Sequence, residues 1–566
     1  MWAILYLECA IFYQAIHTQS LVITAQSKGD PNLAQHRTRL QLVGGENLPR
    51  VDILVPCCGE PLEFILDTLY ASCRIDYPSK RFRVIVLDDG QSMPLRKAVG
   101  ELQQTWGNIH YQSRGLSPDR QDFAKAGNLN FALFDLEAPT EGPSEYIAIL
   151  DADFMPSPNF LRSTLPHLMK FPKLALVGTP QYFYNIPAGD PLAQGLGNWQ
   201  GMLLPQLNQL GVAINGGSGC VIRRDLLLEH QGFPTISMAE DLMLSLVLIG
   251  TGSQLIVLDD ILQLGRVPAS LQGHVSQRRR WCISLSQQVM ALKRTKENTV
   301  PSALRWSIAC QGIFFIIDLV NRALAFIMIP LALLSDQPLV PAASRLELKI
   351  QGCLAVMSLT FMWGFEWLMM ARSDFRAPAF SHLEELWMAP GQLYALICFY
   401  LLPAQSPGSL VTGSALNPWN TTSISGRRLH ELKRNLWDAG VAINLTSFVF
   451  IITAVLHAIR YAMDNYEQSL RFVATGLLWP PVLHICYLLI SSNWIPLSCT
   501  AWPVSWPTHS SRPNMKSGPR GAYAILTQPE VQQAHFSHRL SRFGYAGHYI
   551  LIFLGLFVLF GAFVAV

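Results

Sequence analysis

Residues 146–153 read YIAILDAD. An apolar run without alternation marks a strand buried on both faces. The two aspartates that follow, Asp151 and Asp153, stand two residues apart and so project to one side of the strand's end. Similar runs, bounded by turn residues, occur at 51–55 (VDILV), 82–89 (FRVIVLDD), 174–179 (LALVGT) and 254–260 (QLIVLDD). Helical stretches separate them, which predicts parallel strands joined by crossover helices. Three of the runs end in Asp. Open α/β sheets bind ligands beyond the carboxyl ends of their strands, so carboxylates gather where a nucleotide and a metal would sit. The chain has no GxGxxG and no GxxxxGK[ST] motif, which removes the main support for a dinucleotide dehydrogenase or a P-loop ATPase.

Outward from this segment the composition changes. Of the 566 residues, 50% are hydrophobic and 14% charged, against roughly 25% charged in a soluble protein. An ordinary cytosolic enzyme is thereby excluded. The apolar excess is concentrated in segments long enough to cross a bilayer: 306–334, 350–371, 440–461, 471–491 and 549–566, with a weaker run at 1–17 that Glu8 interrupts. The run 389–404 contains Pro390 and Pro403 and is expected to be interfacial or re-entrant. The net charge, 42 − 39 = +3, gives no argument for nucleic acid, and 11 Cys do not make a disulfide scaffold.

Basic residues place the loops. With 48–300 cytoplasmic, 301–371 forms a transmembrane hairpin. The segment 372–438, carrying Arg427, Arg428, Lys433 and Arg434, stays on the cytoplasmic side. A second hairpin, 439–491, precedes a cytoplasmic loop, 492–548, with Arg512, Lys516, Arg520, Arg539 and Arg542. A last helix covers 549–566. This holds only if 389–404 does not cross.

Taken singly, the polar motifs have ordinary readings. Asp88-Asp89-Gly90 closes a strand as an Asp-Gly turn would. Glu240-Asp241 opens an apolar helical run, where acidic residues suit the helix dipole. Arg278, Arg279 and Arg280 suit a juxtamembrane segment near lipid head groups, though that leaves Gln277 and Trp281 unexplained. Asp318 and Arg322 lie four apart on one helix. They can pair with each other or line a polar path.

Taken together and in order, the motifs resemble those of the processive family-2 glycosyltransferases: cellulose synthases, with chitin and hyaluronan synthases as relatives. The resemblance runs through VPCCGEP (55–61), LDDG (87–90), KAGNLN (125–130), LDAD (150–153), TPQ (179–181), GGSG (216–219), AED (239–241) and QRRRW (277–281). It implies an α/β GT-A-type nucleotide-sugar-binding domain inserted in an α-helical transmembrane bundle. It also implies a donor site of Glu60, Asp88, Asp89, Lys125, Asn128, Asp151, Gln277 and Arg280, with Asp88 at the uridine. Asp151 and Asp153 would hold Mg²⁺ or Mn²⁺ on the diphosphate. Glu240 and Asp241 would be catalytic, Asp241 as general base, and Trp281 would receive the acceptor.

Those residue types fit such chemistry. A nucleoside diphosphate leaves, so cationic groups can neutralise developing charge. A sugar hydroxyl attacks, and one carboxylate can take its proton. A single displacement inverts the anomeric carbon and yields a β-linkage. The sequence departs from the family pattern in four places. The uridine loop reads CCGE (57–60), Ala239 opens the acidic motif, the gating loop is reduced to WNTTSISGR (419–427), and no cyclic-dinucleotide-binding domain is recognised. The expected partners are therefore a nucleotide-sugar donor, probed first as a UDP-sugar, a glycan or lipophilic acceptor, and the bilayer. Alternatives are a non-processive transferase acting on a small lipophilic acceptor, and a membrane scaffold with an inactive transferase domain. The intact Asp88, Asp153, Asp241 and Trp281 speak against the scaffold.

Overall fold

The computed structural model describes residues 40–115, 124–136, 142–187, 189–197, 199–292, 302–336, 344–372, 381–401, 424–464, 477, 479–502, 504–507, 515–518 and 521–524. The first half of the chain runs β1 (Val51–Cys57), α1 (Leu62–Cys73), β2 (Phe82–Asp88), α2 (Met93–Gln103), β3 (Ile109–Gln112), α3 (Ala124–Phe134), β4 (Tyr146–Ile149), β5 (Met155–Pro156) and α4 (Phe160–Lys170). It continues through β6 (Leu174–Gly178), β7 (Tyr182–Phe183), α5 (Leu204–Gln209), β8 (Cys220–Arg223), α6 (Arg224–Glu229), α7 (Glu240–Gly250), β9 (Gln254–Val257), β10 (Gln263–Gly265) and α8 (Leu271–Ser286).

Seven strands form one sheet in the order β3-β2-β1-β4-β8-β6-β9. The five runs read from the sequence are all strands in it. β1 is buried along its whole length and pairs in parallel with β2 and β4. Side-chain alternation splits its apolar residues between two cores: Ile53 and Val55 join Val84, Val86 and Leu161 on one face, and Leu54 joins Ile85, Leu87 and Leu129 on the other. Each such fully buried aliphatic side chain contributes about 1.5–3 kcal/mol.

The expectation of a parallel sheet needs one correction. β8 runs antiparallel to both β4 and β6. Cys220, its first residue, faces Ile149, the last of β4. The Gly216–Gly219 turn that leads into β8 therefore lies at the carboxyl end of β4, beside Asp151. A second sheet, β5-β10-β7, begins two residues after Asp153. Two separate devices thus converge on the aspartates.

The second half is helical: α9 (Ser302–Leu334), α10 (Arg345–Arg372), α11 (Ser381–Leu401), α12 (Ile424–Trp437), α13 (Val441–Asp464) and α14 (Pro480–Ala501). Among the described residues, α9, Val441–Tyr461 of α13 and Val482–Ala501 of α14 are long and apolar enough to cross a membrane. Phe326, Ile329 and Leu333 of α9 pack with Ile451 and Ala454 of α13 and with Cys486 and Leu489 of α14. Other apolar side chains of the same helices, among them Phe314, Ile327, Leu331, Val449 and Leu456, are exposed on the protein's outside. Large exposed apolar faces need a non-aqueous neighbour.

Three expectations shift. Of the span expected at 471–491, residues 471–476 and 478 lie outside the described residues, and the described helix opens on Pro480 and Pro481, where proline's missing N–H costs nothing. The helix then runs into the segment expected to be a loop from 492. The 350–371 span is helical within α10 but is not one of the three long apolar helices. Residues 389–401 belong to one continuous helix, α11, that carries Pro390. Beyond α14 the expected loop contains an antiparallel pair, β11 (Met515–Gly518) and β12 (Gly521–Ala524). The expected helices 1–17 and 549–566, and residues 419–423 of the gating-like loop, lie outside the described residues. Asp318 and Arg322 do pair, at 2.8 Å, and Arg322 also reaches Glu385 of α11 at 2.6 Å.

Helix α8 joins the two halves. Leu271 and Val275 pack with Leu383, Trp387 and Val441, while Cys282 and Ile283 pack with Leu319, Ala323 and Leu396. Arg434 of α12 donates to Gln272 of α8.

Candidate active site

The carboxyl ends of β1, β2 and β4 bring three loops together. After β2, Asp88 is buried and turned inward. Its Oδ1 accepts from the Gly90 amide at 2.8 Å, and its Oδ2 accepts from the Ser92 amide at 2.7 Å and the Tyr111 hydroxyl at 2.8 Å. Asp88 thus shapes the 88–92 turn, which packs on the 57–60 loop: the Asp89 amide donates to the Cys57 carbonyl at 3.0 Å. Asp89 takes a two-pronged ion pair from Arg114, at 2.8 and 2.7 Å. In the 57–60 loop, Glu60 accepts from the Cys58 amide at 2.6 Å. Burial, then the neighbouring charges of Asp151 and Asp88, push the Glu60 carboxyl up despite its backbone hydrogen bonds.

At the end of β4 the charges crowd. Lys125 of α3 donates to Asp151 Oδ1 at 2.6 Å and to the Gly217 carbonyl at 2.9 Å, and lies 3.1 Å from Glu240 Oε1. Burial would lower its pKa, but Asp151, Glu240 and Asp241 together hold it above the usual lysine range. Among the described residues Asp153 makes no ion pair as close as that of Lys125 with Asp151. Burial first, then Asp151 and Glu60, push its carboxyl up to about 7, and Arg266 offsets only part. Asn128 anchors α3 to β2 through a 2.9 Å bond from Nδ2 to the Leu87 carbonyl, while its buried Oδ1 has no partner among the described residues.

The far wall is the Gly216–Gly219 turn. Ser218 accepts from the Asp151 amide at 3.0 Å and donates to Gln263 at 3.0 Å. Gln263 in turn donates to the carbonyls of Thr179 and Ser218, and Gln181 donates to the Gly216 carbonyl at 2.7 Å. Gly217 has φ +86°, and a Cβ there would stand 2.5 Å from Asp241 Oδ2. Glycine at 217 therefore lets the turn close onto the acidic pair. Asp241 opens α7, and its Oδ1 accepts from the Leu242 amide at 2.7 Å. Burial, followed by the charge of Glu240, raises its pKa above the ordinary carboxylate range, with Lys125 opposing.

The loop before Asp241 is tied to α8: Ser237 donates to the Ser284 carbonyl at 2.9 Å, and Gln287 accepts from the Met238 amide at 2.9 Å. On α8, Gln277, Arg280 and Trp281 stand at i, i+3 and i+4, which is one helix face. Arg278 and Arg279 reach the helical half. Arg278 pairs with Glu384 of α11, and Arg279 donates to the carbonyls of Asp438 and Ala439 at 3.3 and 3.0 Å. The three arginines are not a lipid-facing cluster. Two of them fasten α8 to the helical half, and Arg280 stays on the face of Gln277 and Trp281.

The sequence that builds β1 to α8 matches known proteins. A family model described as Glycosyl transferase family 2 matches residues 52–230, and one described as Glycosyl transferase family group 2 matches residues 146–402. The chain belongs to the family-2 glycosyltransferases. Within that family it is cellulose synthase-like. It is 32% identical over 273 residues to a cellulose synthase catalytic subunit (UDP-forming) of Pseudomonas fluorescens (strain SBW25), covering 46% of this chain and 34% of that protein. It is 32% identical over 252 residues to a probable glucomannan 4-beta-mannosyltransferase of Oryza sativa subsp. japonica, covering 42% of each. The chain thus spans about a third of the length of the first of these relatives. Among solved structures, mannosyltransferase PcManGT from Pyrobaculum calidifontis, in complex with GDP-Man and Mn2+, superposes with a TM-score of 0.37 at 18% identity, over 66% of this chain and 98% of that one. The glycosyltransferase domain is a mixed-sheet α/β domain, and the apolar helices follow it.

The sequence motifs led to Glu60, Asp88, Lys125, Asp151, Asp153, Asp241 and the turn between them, and the fold gathers these at one end of the sheet. They did not lead to Arg114, Gln263, Arg266 or Glu384, because no spacing signal links those residues to the partners they meet.

One consequence is testable at the turn. Gly217→Ala should cut sugar transfer about 10²-fold, the usual cost of displacing a reacting group by about 1 Å. Initial rates and donor titrations check it. An unchanged rate would show that the turn yields and does not hold Asp241.

Proposed function

We propose that the chain is a membrane-integrated inverting glycosyltransferase that moves a hexose from a nucleotide sugar, of the UDP class, to a glycan acceptor and forms a β-linked product. One observation carries this reading. Asp151, Asp153, Lys125, Glu240 and Asp241 converge at the carboxyl end of β4, and the loop before Asp241 is bonded to the helix that presents Gln277, Arg280 and Trp281.

In this reading the loops 57–60 and 88–92 form the nucleoside end of the site. Asp88 acts there through the turn it braces. Lys125 and Asn128 face the diphosphate and donor sugar, and Arg280 with Gln277 meets the departing diphosphate. Glu240 holds Lys125 and raises the basicity of Asp241. Asp241 takes the proton from the acceptor hydroxyl as it attacks. Trp281 gives the acceptor sugar a flat face.

No three His, Cys, Asp or Glu side chains make an all-protein cation cage among the described residues. The donor set nevertheless suits a divalent ion that completes its shell with diphosphate oxygens. Asp151 and Asp153 offer hard oxygens, and the repulsion at Asp153, which Arg266 offsets only in part, is what a cation would relieve. When bound, Mg²⁺ or Mn²⁺ would neutralise charge on the leaving group.

The reading is tested by incubating membranes with a panel of labelled nucleotide sugars and sizing the product. A ladder of β-linked oligomers supports a polymer. A single glycoside of one size moves the reading to single transfer onto a small lipophilic acceptor. Absence of transfer from every donor overturns it.

The orientation is a second test. Arg434 and Ala439 touch α8, so α12 lies on the side of the transferase domain. An impermeant thiol reagent should label a cysteine placed at His430 from the same side as one placed at Ser253. Labelling from opposite sides would show that α11 crosses the membrane.

A further inference from the structure

The acceptor helix has a neighbour that the motifs do not mention. Arg278 and Trp281 stand one turn apart on α8, and the guanidinium carbon of Arg278 lies over the Trp281 indole, 4.3 Å from the ring centroid. That guanidinium is itself held: its Nε donates to Glu384 Oε1 of α11. His274, one turn before Arg278, places Nε2 3.1 Å from the same oxygen. The Arg278 side chain is 8% exposed and the Glu384 side chain 13%, whereas Trp281 is 37% exposed. The charged pair is thus enclosed between two helices, and the indole emerges from it.

We infer that Glu384 is a positioning residue for the acceptor platform: it fixes Arg278 against one face of Trp281 and leaves the other face for a sugar ring. The inference rests on the reading of Trp281 as the acceptor's stacking surface. An indole on a helix has several rotamers, and a sugar stacks well only on one that is already selected. Stacked guanidinium selects it through cation–π attraction. An unpaired arginine would not stay there. Its planar fork would turn toward water or toward the nearest carbonyls, because an enclosed charge without a partner is costly. Glu384 removes that alternative. Asp190 is a further carboxylate within electrostatic reach of Arg278, but its two oxygens already accept from the Gln194 and Gly195 amides at 2.7 and 2.8 Å, and Leu383 and Trp387 beside the pair bring no carboxylate.

The test uses the purified full chain in detergent with a labelled UDP-sugar and a soluble β-linked gluco-oligosaccharide as acceptor. Glu384→Gln should raise the acceptor KM about tenfold, the scale of a lost cation–π contact. Its kcat at saturating acceptor and its donor KM should stay near those of the wild type. A second variant guards against misfolding. Replacing the pair together, R278L with E384L, keeps the interface filled, which buried pairs commonly tolerate, and should show the same rise in acceptor KM. The optical arm compares acrylamide quenching of the emission that Trp281→Phe removes. That share should become more quenchable in Glu384→Gln. An acceptor KM and quenching equal to the wild type's in both variants would overturn the inference. So would a parallel loss of donor affinity and kcat, which marks a merely structural pair. If the wild type transfers no sugar, the transferase reading falls, and the quenching arm still decides whether Glu384 holds Arg278 on Trp281.

Discussion

Asp241→Asn should leave the protein folded and able to bind its donor, yet lower transfer by about 10²–10⁴-fold, the range for loss of a general base. Asparagine has the same shape, and its carbonyl can keep the 2.7 Å bond from the Leu242 amide. What it lacks is a site for the acceptor's proton. The position also fixes how the rate should vary with pH. Burial raises the Asp241 carboxyl, and the charge of Glu240 raises it further, while Lys125 opposes. A base works only when deprotonated, so kcat should fall as pH drops, with its acid limb above the ordinary carboxylate range. Removing the charge of Glu240 by Glu240→Gln should move that limb to lower pH. Rate–pH profiles and donor calorimetry check both expectations. If donor affinity falls in step with rate, Asp241 is a binding residue and the assignment of the base is wrong.

The readable parts of the chain and the unreadable ones differ in physical kind. β1, β2, β4, β6 and β9 were legible because strands buried on both faces are apolar without interruption. β8 was not. It is four residues long, CVIR, and its direction is set by the turn before it. β3 is short and mostly half-buried, IHYQ, at the sheet's edge, where polar residues blur the pattern. The start of α14 was not legible, because a run of apolar residues continues across Trp479, Pro480 and Pro481, and the prolines decide the boundary. The carboxylates of the site were legible because strand ends are local features. The roles of Arg278 and Arg279 were not. Their partners Glu384 and Ala439 lie 106 and 160 residues further along the chain. A local reading could count the arginines of QRRRW but could not say that two are held by the helical half while one stays on the face of Gln277 and Trp281.

That division has a mechanical meaning. The face of α8 with Gln277, Arg280 and Trp281 is held from behind by Glu384 and by the carbonyls at the end of α12, and the loop to Asp241 is bonded to its C-terminal turn. Gly440, at φ +79°, lets Arg279 approach: a Cβ there would lie 2.8 Å from Nη2. The proposed acceptor face, the proposed base and the apolar helices therefore form one connected unit. The donor loops at 57–60 and 88–92 are built separately, on the sheet.

Asp153→Asn should abolish transfer at any Mg²⁺ or Mn²⁺ concentration while making the apo protein no less stable, and this pairing of outcomes is what distinguishes a donor-site ligand from a structural carboxylate. A structural aspartate is paired. Asp52 shows the pattern in this chain, with Arg83 at 2.8 Å and Ser144 at 2.8 Å, so that Asp52→Asn should lower Tm through the loss of a buried pair. Asp153 is the reverse case. Its carboxyl is pushed up to about 7 by burial and by Asp151 and Glu60, with Arg266 and a backbone hydrogen bond opposing only in part. Neutralising it relieves repulsion in the empty site, and the fold gains or holds. What is lost is a charged oxygen ligand toward the diphosphate-bound ion, which an amide oxygen replaces poorly because hard cations favour carboxylate. Extra metal does not restore it, since the defect is in the ligand and not in occupancy alone. Thermal melts of the apo chain, beside transfer assays across a metal titration, read the two outcomes separately. A drop in Tm comparable to that of Asp52→Asn would make Asp153 structural. Full activity of the wild type in excess chelator would remove the ion, and with it this role for Asp153.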